Sequence, residues 1–367
     1  MKFFVIELKK LWQLFRSDPK AILAGVIAPT AILFVFVLTI GNIRPFPITI
    51  VNNDTGNLGD QLKSEILTQI SPSGKNPYFN NKGFDEQTAL NKYHQGELLG
   101  VIVIPEDFTS RFANKEQPNI QYYLNNYSTD IAKNLRLNLD EGLLSFYQKY
   151  SIAKSLQIEK VFTVNTQVNW INMIAIAILL MAAVLGGMFN VLYYFFKEKR
   201  YGTLIEYHLS PSFPIASLFT RIINALAMSF LAALINGILI YLITGLNLLT
   251  ANADIILPLI LTSLFYILVA VVLTILISNF EGAAVISMVS VIVLWFLSGG
   301  LVSTQNMTGI SKTISFFIPN SYALGIMNST ILGENTGYTL MNYGMLSLFT
   351  GVMLLIAINV YKKKIWD

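Results

Sequence analysis

Cysteine is absent from the 367 residues, and charged residues are scarce. The lack of cysteine excludes disulfide bonds, thiolate-based zinc or iron–sulfur sites and thiol nucleophiles. Only 13% of the residues are charged and 54% are hydrophobic, whereas soluble domains average about 25% charged and 45–50% apolar residues. Together with a mean hydropathy of +0.56, this composition predicts an integral membrane protein.

Motifs for enzyme chemistry are also missing. The two histidines, His94 and His208, fall on opposite sides of the predicted membrane, and neither a His-Glu-x-x-His nor a Gly-x-Ser-x-Gly motif occurs. The string nearest to a phosphate-binding loop, residues 73–76, lacks the first glycine and the hydroxyl residue. We therefore expect no catalytic residues and no metal site in this chain, and no ATP hydrolysis by a phosphate-binding loop within it.

Six apolar runs are long enough to cross a bilayer, and positively charged residues flank them in a pattern that places both termini in the cytoplasm. The sequence thus predicts a polytopic α-helical membrane protein with six transmembrane helices. Arg221, Asp254 and Glu281 fall near predicted span ends, where snorkelling costs little, and carboxylates at mid-depth are lacking, which argues against an ion-driven transporter. The runs are residues 21–40, 170–196, 215–246, 255–277, 283–301 and 340–360.

Residues 44–168 have a different character, because short apolar stretches alternate there with turn residues. Apolar stretches at 48–51, 98–104 and 120–124 predict strands, and helical periodicity lies between them. We therefore expect an inserted extracytoplasmic α/β domain. Its last helix, starting after Ser128, carries one apolar stripe from Ile131 to Tyr150, which covers the sheet or, alternatively, transmits motion to the second span.

Four segments carry a resemblance to a known family. Residues 197–211 combine a Glu/Arg cluster, Gly-Thr, a further Glu and Pro, and residues 16–19 read Arg-Ser-Asp-Pro. Ser-Gly-Gly at 298–300 and Pro-Asn-Ser-Tyr-Ala at 319–323 follow later in the chain. This set resembles the permeases of ABC-2 type transporters. Residues 51–56 and 103–108 are similar to the branch of that family with a large extracytoplasmic domain after the first helix.

The resemblance implies a domain organisation and site residues. It implies an elbow helix at 1–20, a first span at 21–43, the domain at 44–168, a five-helix region at 169–361 and a tail at 362–367. Within the five-helix region it implies a coupling helix at 197–212 and a re-entrant region at 302–338. The implied sites are ATPase coupling at Glu198, Arg200, Gly202, Thr203, Glu206 and Pro211, the elbow at Arg16, Asp18 and Pro19, and the re-entrant region at Ser298, Gly299, Gly300, Pro319 and Tyr322.

Partners also follow from the resemblance. They are an ABC ATP-binding subunit that holds ATP and Mg, a second copy or close paralogue of this chain, and the lipid bilayer, with no nucleic acid and no cofactor in the chain itself. Glu198, Gly202 and Glu206 recur at helical spacing, which predicts a shared helix face. Asn328 stands where relatives often carry a charge, a departure in the re-entrant region.

The expected activity is export of an amphiphilic substrate, such as a drug, lipid or lipopeptide, across a prokaryotic plasma membrane. The substrate path is predicted from uncharged polar residues in the spans, for which hydrogen bonding between helices is the alternative role. A membrane receptor with a ligand-binding outer domain and a membrane-bound transferase are the competing functions. The predicted path residues are Asn190, Asn224, Asn236, Ser290 and Ser298.

Overall fold

The computed structural model describes residues 2–41, 45–70, 77–124, 129–150, 170–203, 214–248, 253–302, 304, 307–332 and 338–366. The chain divides into two compact units. One is the membrane unit, Met1–Leu38 with Val164–Asp367, and the other is the inserted unit, Thr39–Thr163.

Helices and strands follow one another in the order expected for a domain inserted into a helical membrane protein. The first half contains α1 (Lys2–Ser17), a 3₁₀ turn (Pro19–Ile22), α2 (Leu23–Phe36), a π turn (Val37–Gly41), β1 (Phe46–Asn52), α3 (Leu58–Leu67), β2 (Phe79–Asn81), α4 (Glu86–His94), β3 (Gly100–Ile104), α5 (Phe108–Ala113), β4 (Gln121–Leu124) and α6 (Thr129–Tyr150). The second half contains α7 (Trp170–Tyr201), α8 (Pro214–Thr244), α9 (Ala253–Leu276), α10 (Phe280–Trp295), a π turn (Phe296–Gly300), α11 (Gly309–Ser315), α12 (Pro319–Leu332) and α13 (Thr339–Trp366).

Six helical segments within the described residues are long and apolar enough to cross a membrane, which confirms the predicted fold class. Apolar runs of this length form helices because a bilayer offers no hydrogen-bond partners and each backbone group must be satisfied within its own segment. The segments are Pro19–Thr39, Ile171–Tyr201, Ala216–Thr244, Asp254–Leu276, Phe280–Gly300 and Thr339–Lys363.

The second span, α7, lies at the centre of the membrane unit. Its side chains from Ile174 to Leu185 are all buried, and α7 packs against α2, α8, α9 and α10. The three helices α2, α7 and α8 approach most closely where Gly25, Gly186 and Ala232 meet. A Cβ added to Gly25 would lie 2.6 Å from the Gly186 Cα, so this contact is between backbones.

Contacts between helix ends show which termini of the helices lie together. Asp18, just before α2, contacts the end of α7, and Lys199 donates to the Ser278 carbonyl before α10 over 3.4 Å. The Ser217 and Tyr361 hydroxyls are 3.2 Å apart, so the start of α8 and the end of α13 lie together at the same end of the membrane unit. We call this the elbow end. The opposite or far end contains the start of α9 and the start of α13, where Tyr343 donates to Asp254.

The inserted unit is an α/β domain with a four-stranded mixed sheet in the order β2-β1-β3-β4. Strand β1 pairs in parallel with β2 and β3, and β4 pairs antiparallel to β3. Sequence periodicity did not indicate β2, which has only three residues. Leu135, Leu139 and Phe146 of α6 pack into the same core as Ile50 and Ile102. The apolar stripe of α6 therefore covers the sheet, as predicted.

Candidate functional site

The elbow end places α1 against the transmembrane helices through its apolar face. Leu11 is buried, and Phe15 packs with Ile22, Met228 and Ala232 of the neighbouring helices. Polar residues on the opposite face, including Arg16, stay exposed. This amphipathic arrangement is the one expected of a helix that lies along a membrane surface.

Asp18 fixes the junction between α1 and the first span. Its carboxylate accepts hydrogen bonds from the Tyr193 hydroxyl over 2.5 Å and from Lys197 Nζ over 3.0 Å. The Tyr194 hydroxyl donates to the Asp18 carbonyl over 3.0 Å. The Tyr193 hydrogen bond, followed by Lys197, lowers the pKa of Asp18 to about 2, so the carboxylate is charged at neutral pH. Pro19 then begins the 3₁₀ turn, where its missing N–H does no harm.

Glu198 in the last turn of α7 joins three helices. Its carboxylate is 2.9 Å from Lys10 Nζ of α1 and accepts a hydrogen bond from the Arg221 guanidinium of α8. The Glu198 and Arg221 side chains are only 3% and 4% exposed. The Phe195 ring lies 5.3 Å from the guanidinium carbon. Because burial penalises an unpaired charge heavily, this carboxylate needs its cations to stay in place.

Two sequence-based expectations change at this point. Arg221 does not snorkel towards water; it is buried in an ion pair with Glu198. Glu198 likewise faces the interior of the membrane unit, so it does not present an outward face together with Gly202. We call Lys10, Asp18, Tyr193, Lys197, Glu198 and Arg221 the elbow cluster.

The surface next to the elbow cluster contains the other predicted coupling residues that the structure describes. Helix α7 continues through Tyr201, so residues 197–201 of the predicted coupling helix belong to α7, and Glu206 and Pro211 lie outside the described residues. Arg200 and Gly202 are exposed, Gly202 has a φ of +72°, and the Thr203 hydroxyl donates to the Glu198 carbonyl. Helix α7 therefore ends in a glycine turn.

The predicted substrate-path residues are mostly hydrogen-bonded between or within helices. The Asn224 amide donates to Asn190 Oδ1 over 3.0 Å, linking α8 to α7. Asn236 donates to the Gly25 carbonyl and accepts from Thr30, each over 3.0 Å. The Asn190–Asn224 pair lies about 12 Å from Glu198 along α7, at 1.5 Å per residue. These bonds match the alternative role that the sequence leaves open for such residues.

The two other predicted path residues lie on α10 and the turn that follows it. Ser290 is half-buried on α10, and the buried Ser298 donates to the Trp295 carbonyl over 3.0 Å. The Trp295 indole donates to the Ala177 carbonyl over 3.0 Å. Ser290 and Ser298 therefore belong to a different part of the membrane unit from the asparagine pairs.

The predicted re-entrant residues form the turn after α10 and the start of α12. Gly299 has a φ of +102°, and a Cβ on Gly300 would lie 2.4 Å from the Trp295 ring. Pro319 begins α12, and the Tyr322 hydroxyl donates to the Phe316 carbonyl over 2.7 Å. Both glycines are thus required by the tight turn, one for its backbone angle and the other for space.

Comparison with known protein families gives a match over most of the chain. The family described as "ABC-2 family transporter protein" matches residues 21–359, which is most of the chain. The chain belongs to the ABC-2 transporter family. No curated protein and no solved structure matches it.

Membership makes this ABC-2 permease a membrane component of an ABC transporter, which works with an ATP-binding subunit. Sequence reasoning missed Lys10, Tyr193 and Arg221 of the elbow cluster. A signal for Arg221 was present, because an ionisable residue in an otherwise uncharged run requires a partner. Its partner is Glu198, a carboxylate within a basic stretch, but no local sequence pattern indicates that the Glu198 and Arg221 side chains meet.

Proposed function

We propose that this ABC-2 permease exports an amphiphilic substrate, of the drug, lipid or lipopeptide type, from the cytoplasm or the inner leaflet. It acts as a dimer with a second copy or close paralogue. Two ATP-binding subunits supply ATP hydrolysis in trans and hold the nucleotide and Mg. The chain itself contributes the translocation path and the surface that receives the motion of the ATPase.

The observation that carries this proposal is the elbow cluster beside the exposed end of α7. Lys10, Glu198 and Arg221 connect α1, α7 and α8, so a push on this end is shared by three helices. The exposed Arg200 and the 71% exposed Tyr201 follow the buried Glu198 by two and three residues in the chain. A coupling surface requires exposed side chains that are held by firmly packed helices, and the exposed end of α7 next to the buried ion pairs meets this requirement.

The chemistry of the spans supports an amphiphilic substrate. The buried charged side chains described in the spans, Glu198 and Arg221, lie at the elbow end and form an ion pair there. Between the two ends, the described spans carry uncharged polar groups such as the Asn190–Asn224 pair and no charged side chain. A strongly charged substrate would find no compensating charge there, whereas an amphiphile needs none.

The distribution of basic residues supports an elbow end in the cytoplasm of a prokaryotic cell and an extracytoplasmic inserted unit. Lys10, Arg16, Lys197, Lys199 and Arg200 all lie at the elbow end. Positively charged residues flanking spans are retained on the cytoplasmic side. The inserted unit follows the first span in the chain, so it is extracytoplasmic.

A labelling experiment tests this orientation. Single cysteines replacing the exposed residues Gln117 and Lys199 of the cysteine-free chain should react differently with a membrane-impermeant maleimide in intact cells. We expect labelling at position 117 only, and labelling at both positions after permeabilisation. The unsubstituted chain is the control and should stay unlabelled. Labelling at 199 but not at 117 in intact cells would show the inverted orientation.

A charge reversal at Glu206 tests the coupling surface. If Glu206 binds the ATPase, Glu206→Lys loses a partly desolvated charged contact, a loss of about 2–5 kcal/mol. We expect ATPase stimulation and transport to fall at least tenfold in the reconstituted complex, while the yield of folded permease stays unchanged. A receptor or sensor would give no permease-dependent ATPase stimulation at all.

Glu281→Lys is the matched control for this experiment. Glu281 is exposed in the first turn of α10, at the elbow end, and its reversal makes the same change in net charge. We expect it to retain most of the ATPase stimulation. Equal losses in the two variants would mean that Glu206 has no specific role. Full activity of Glu206→Lys would remove it from the coupling surface.

A further inference from the structure

A cavity of about 420 Å³ lies at the far end of the membrane unit, away from the elbow cluster. Its walls come from α11, from α12 and from the start of α13, together with Thr304. The Tyr322 hydroxyl of α12 donates to the Phe316 carbonyl over 2.7 Å, which fixes the corner between α11 and α12. A cavity of this size is large enough for a small ligand or a lipid headgroup.

The polar groups of this cavity favour an anion. Lys312 lines it, and among the residues that the structure describes Lys312 has no carboxylate within ion-pair distance. Ser321 Oγ, at the wall, has no hydrogen-bond partner in the described part of the chain. The Asn342 amide also lines the cavity, beside Gly325, where a Cβ would lie only 3.0 Å from the amide nitrogen. One cation with neutral donors suits a single phosphate or carboxylate group.

The apolar part of the cavity lies at the level of the membrane boundary. The last span begins at Thr339, and the lining residue Met341 lies in its first turn. Met341 and the adjacent Leu340 are 60% and 87% exposed, and Phe316 on the other wall is 54% exposed. Tyr338, which also lines the cavity just before this span, is 65% exposed, and exposed tyrosines at a span end are typical of the interface between headgroups and acyl chains.

We propose that this cavity binds the anionic headgroup of a membrane amphiphile. Lys312 pairs with the headgroup, the Ser321 and Asn342 groups donate hydrogen bonds to it, and the acyl chain runs along the exposed Leu340 and Met341. The ligand class is an anionic phospholipid rather than free phosphate, because the cavity opens onto apolar side chains. This site does not depend on the direction of transport or on the coupling surface.

Photolabelling of the full chain in lipid nanodiscs tests the proposal. A photoactivatable phosphatidylglycerol is compared with the matching phosphatidylcholine probe, and labelled peptides are identified by mass spectrometry. We expect the peptide containing residues 309–325 to be labelled preferentially by the anionic probe. Lys312→Gln should reduce this labelling about tenfold or more, the effect of losing one charge-assisted hydrogen bond. Met341→Trp, which narrows the cavity at an exposed position, should reduce it as well.

Two controls distinguish a specific binding site from general electrostatic attraction of the anionic probe to lysine residues. Lys363→Gln removes an exposed lysine at the other end of α13 and should leave labelling of the 309–325 peptide unchanged. A large excess of inorganic phosphate should not displace the lipid probe. Equal labelling by both probes, an equal loss in Lys363→Gln, or complete displacement by phosphate would each overturn the proposal. Size-exclusion profiles of all variants verify that they are folded.

Discussion

Replacing Gly186 with leucine is expected to leave almost no folded permease in the membrane. A Cβ at this position would lie 2.5 Å from the Ala232 Cβ and 3.1 Å from the Met228 carbonyl oxygen, both on α8. Gly25 of α2 also lies in backbone contact with Gly186. Helices in a bilayer associate through close packing of small residues, because lipid provides no hydrophobic drive between them. A leucine here must separate α7 from a neighbouring helix.

The measurement is the yield of monodisperse protein from a fluorescent fusion on size exclusion, at matched expression. Gly351→Leu is the matched control, because Gly351 is exposed on α13 and a Cβ there would meet nothing within 4 Å. That control should be neutral or slightly stabilising, since leucine favours a helix over glycine by up to about 1 kcal/mol. Equal yields from the two variants would show that the Gly186 contact is not required.

The sequence predicts the membrane spans well because their signal is local. An uncharged run such as 255–277 must be helical in a bilayer, and the structure places a span at Asp254–Leu276. In the inserted domain, the strands at 48–51 and 98–104 could be predicted for the same reason. Each is a short apolar run bounded by turn residues, which is a local pattern. The three-residue strand β2 is too short to produce a pattern.

The candidate site could be predicted only in part, because its contacts join residues that are far apart in the chain. Motif resemblance indicated Asp18 and Glu198, but the partners Lys10, Tyr193 and Arg221 follow from how α1, α7 and α8 pack. Glu198 and Arg221 are 23 positions apart in the chain and lie on different helices, and helical periodicity says nothing about side chains that meet between helices. Helical spacing also predicted that Glu198 lies on an exposed helix face. In the structure α1 and α8 pack over that face of α7, so Glu198 is buried.

Neutralising Glu198 is expected to destabilise the permease strongly. In Glu198→Gln, Lys10 and Arg221 lose their carboxylate while Arg221 stays buried at 4% exposure. Removing one partner of a buried ion pair costs about 3–5 kcal/mol, because the remaining charge is left uncompensated. The thermal unfolding temperature should therefore fall well below that of the parent protein. Glu281→Gln, at an exposed carboxylate of the same end, should leave it unchanged.

A second variant separates stability from coupling. Glu198→Met combined with Arg221→Met removes both buried charges, and such apolar replacements of buried ion pairs are often neutral or stabilising. We expect the double variant to regain thermal stability but to lose most ATPase-coupled transport, because α7 and α8 then lack the ion pair that joins them to Lys10 of α1. Recovery of both stability and transport would mean that the elbow cluster only holds the fold together. Wild-type stability of Glu198→Gln alone would show that the buried ion pair is not formed in the membrane.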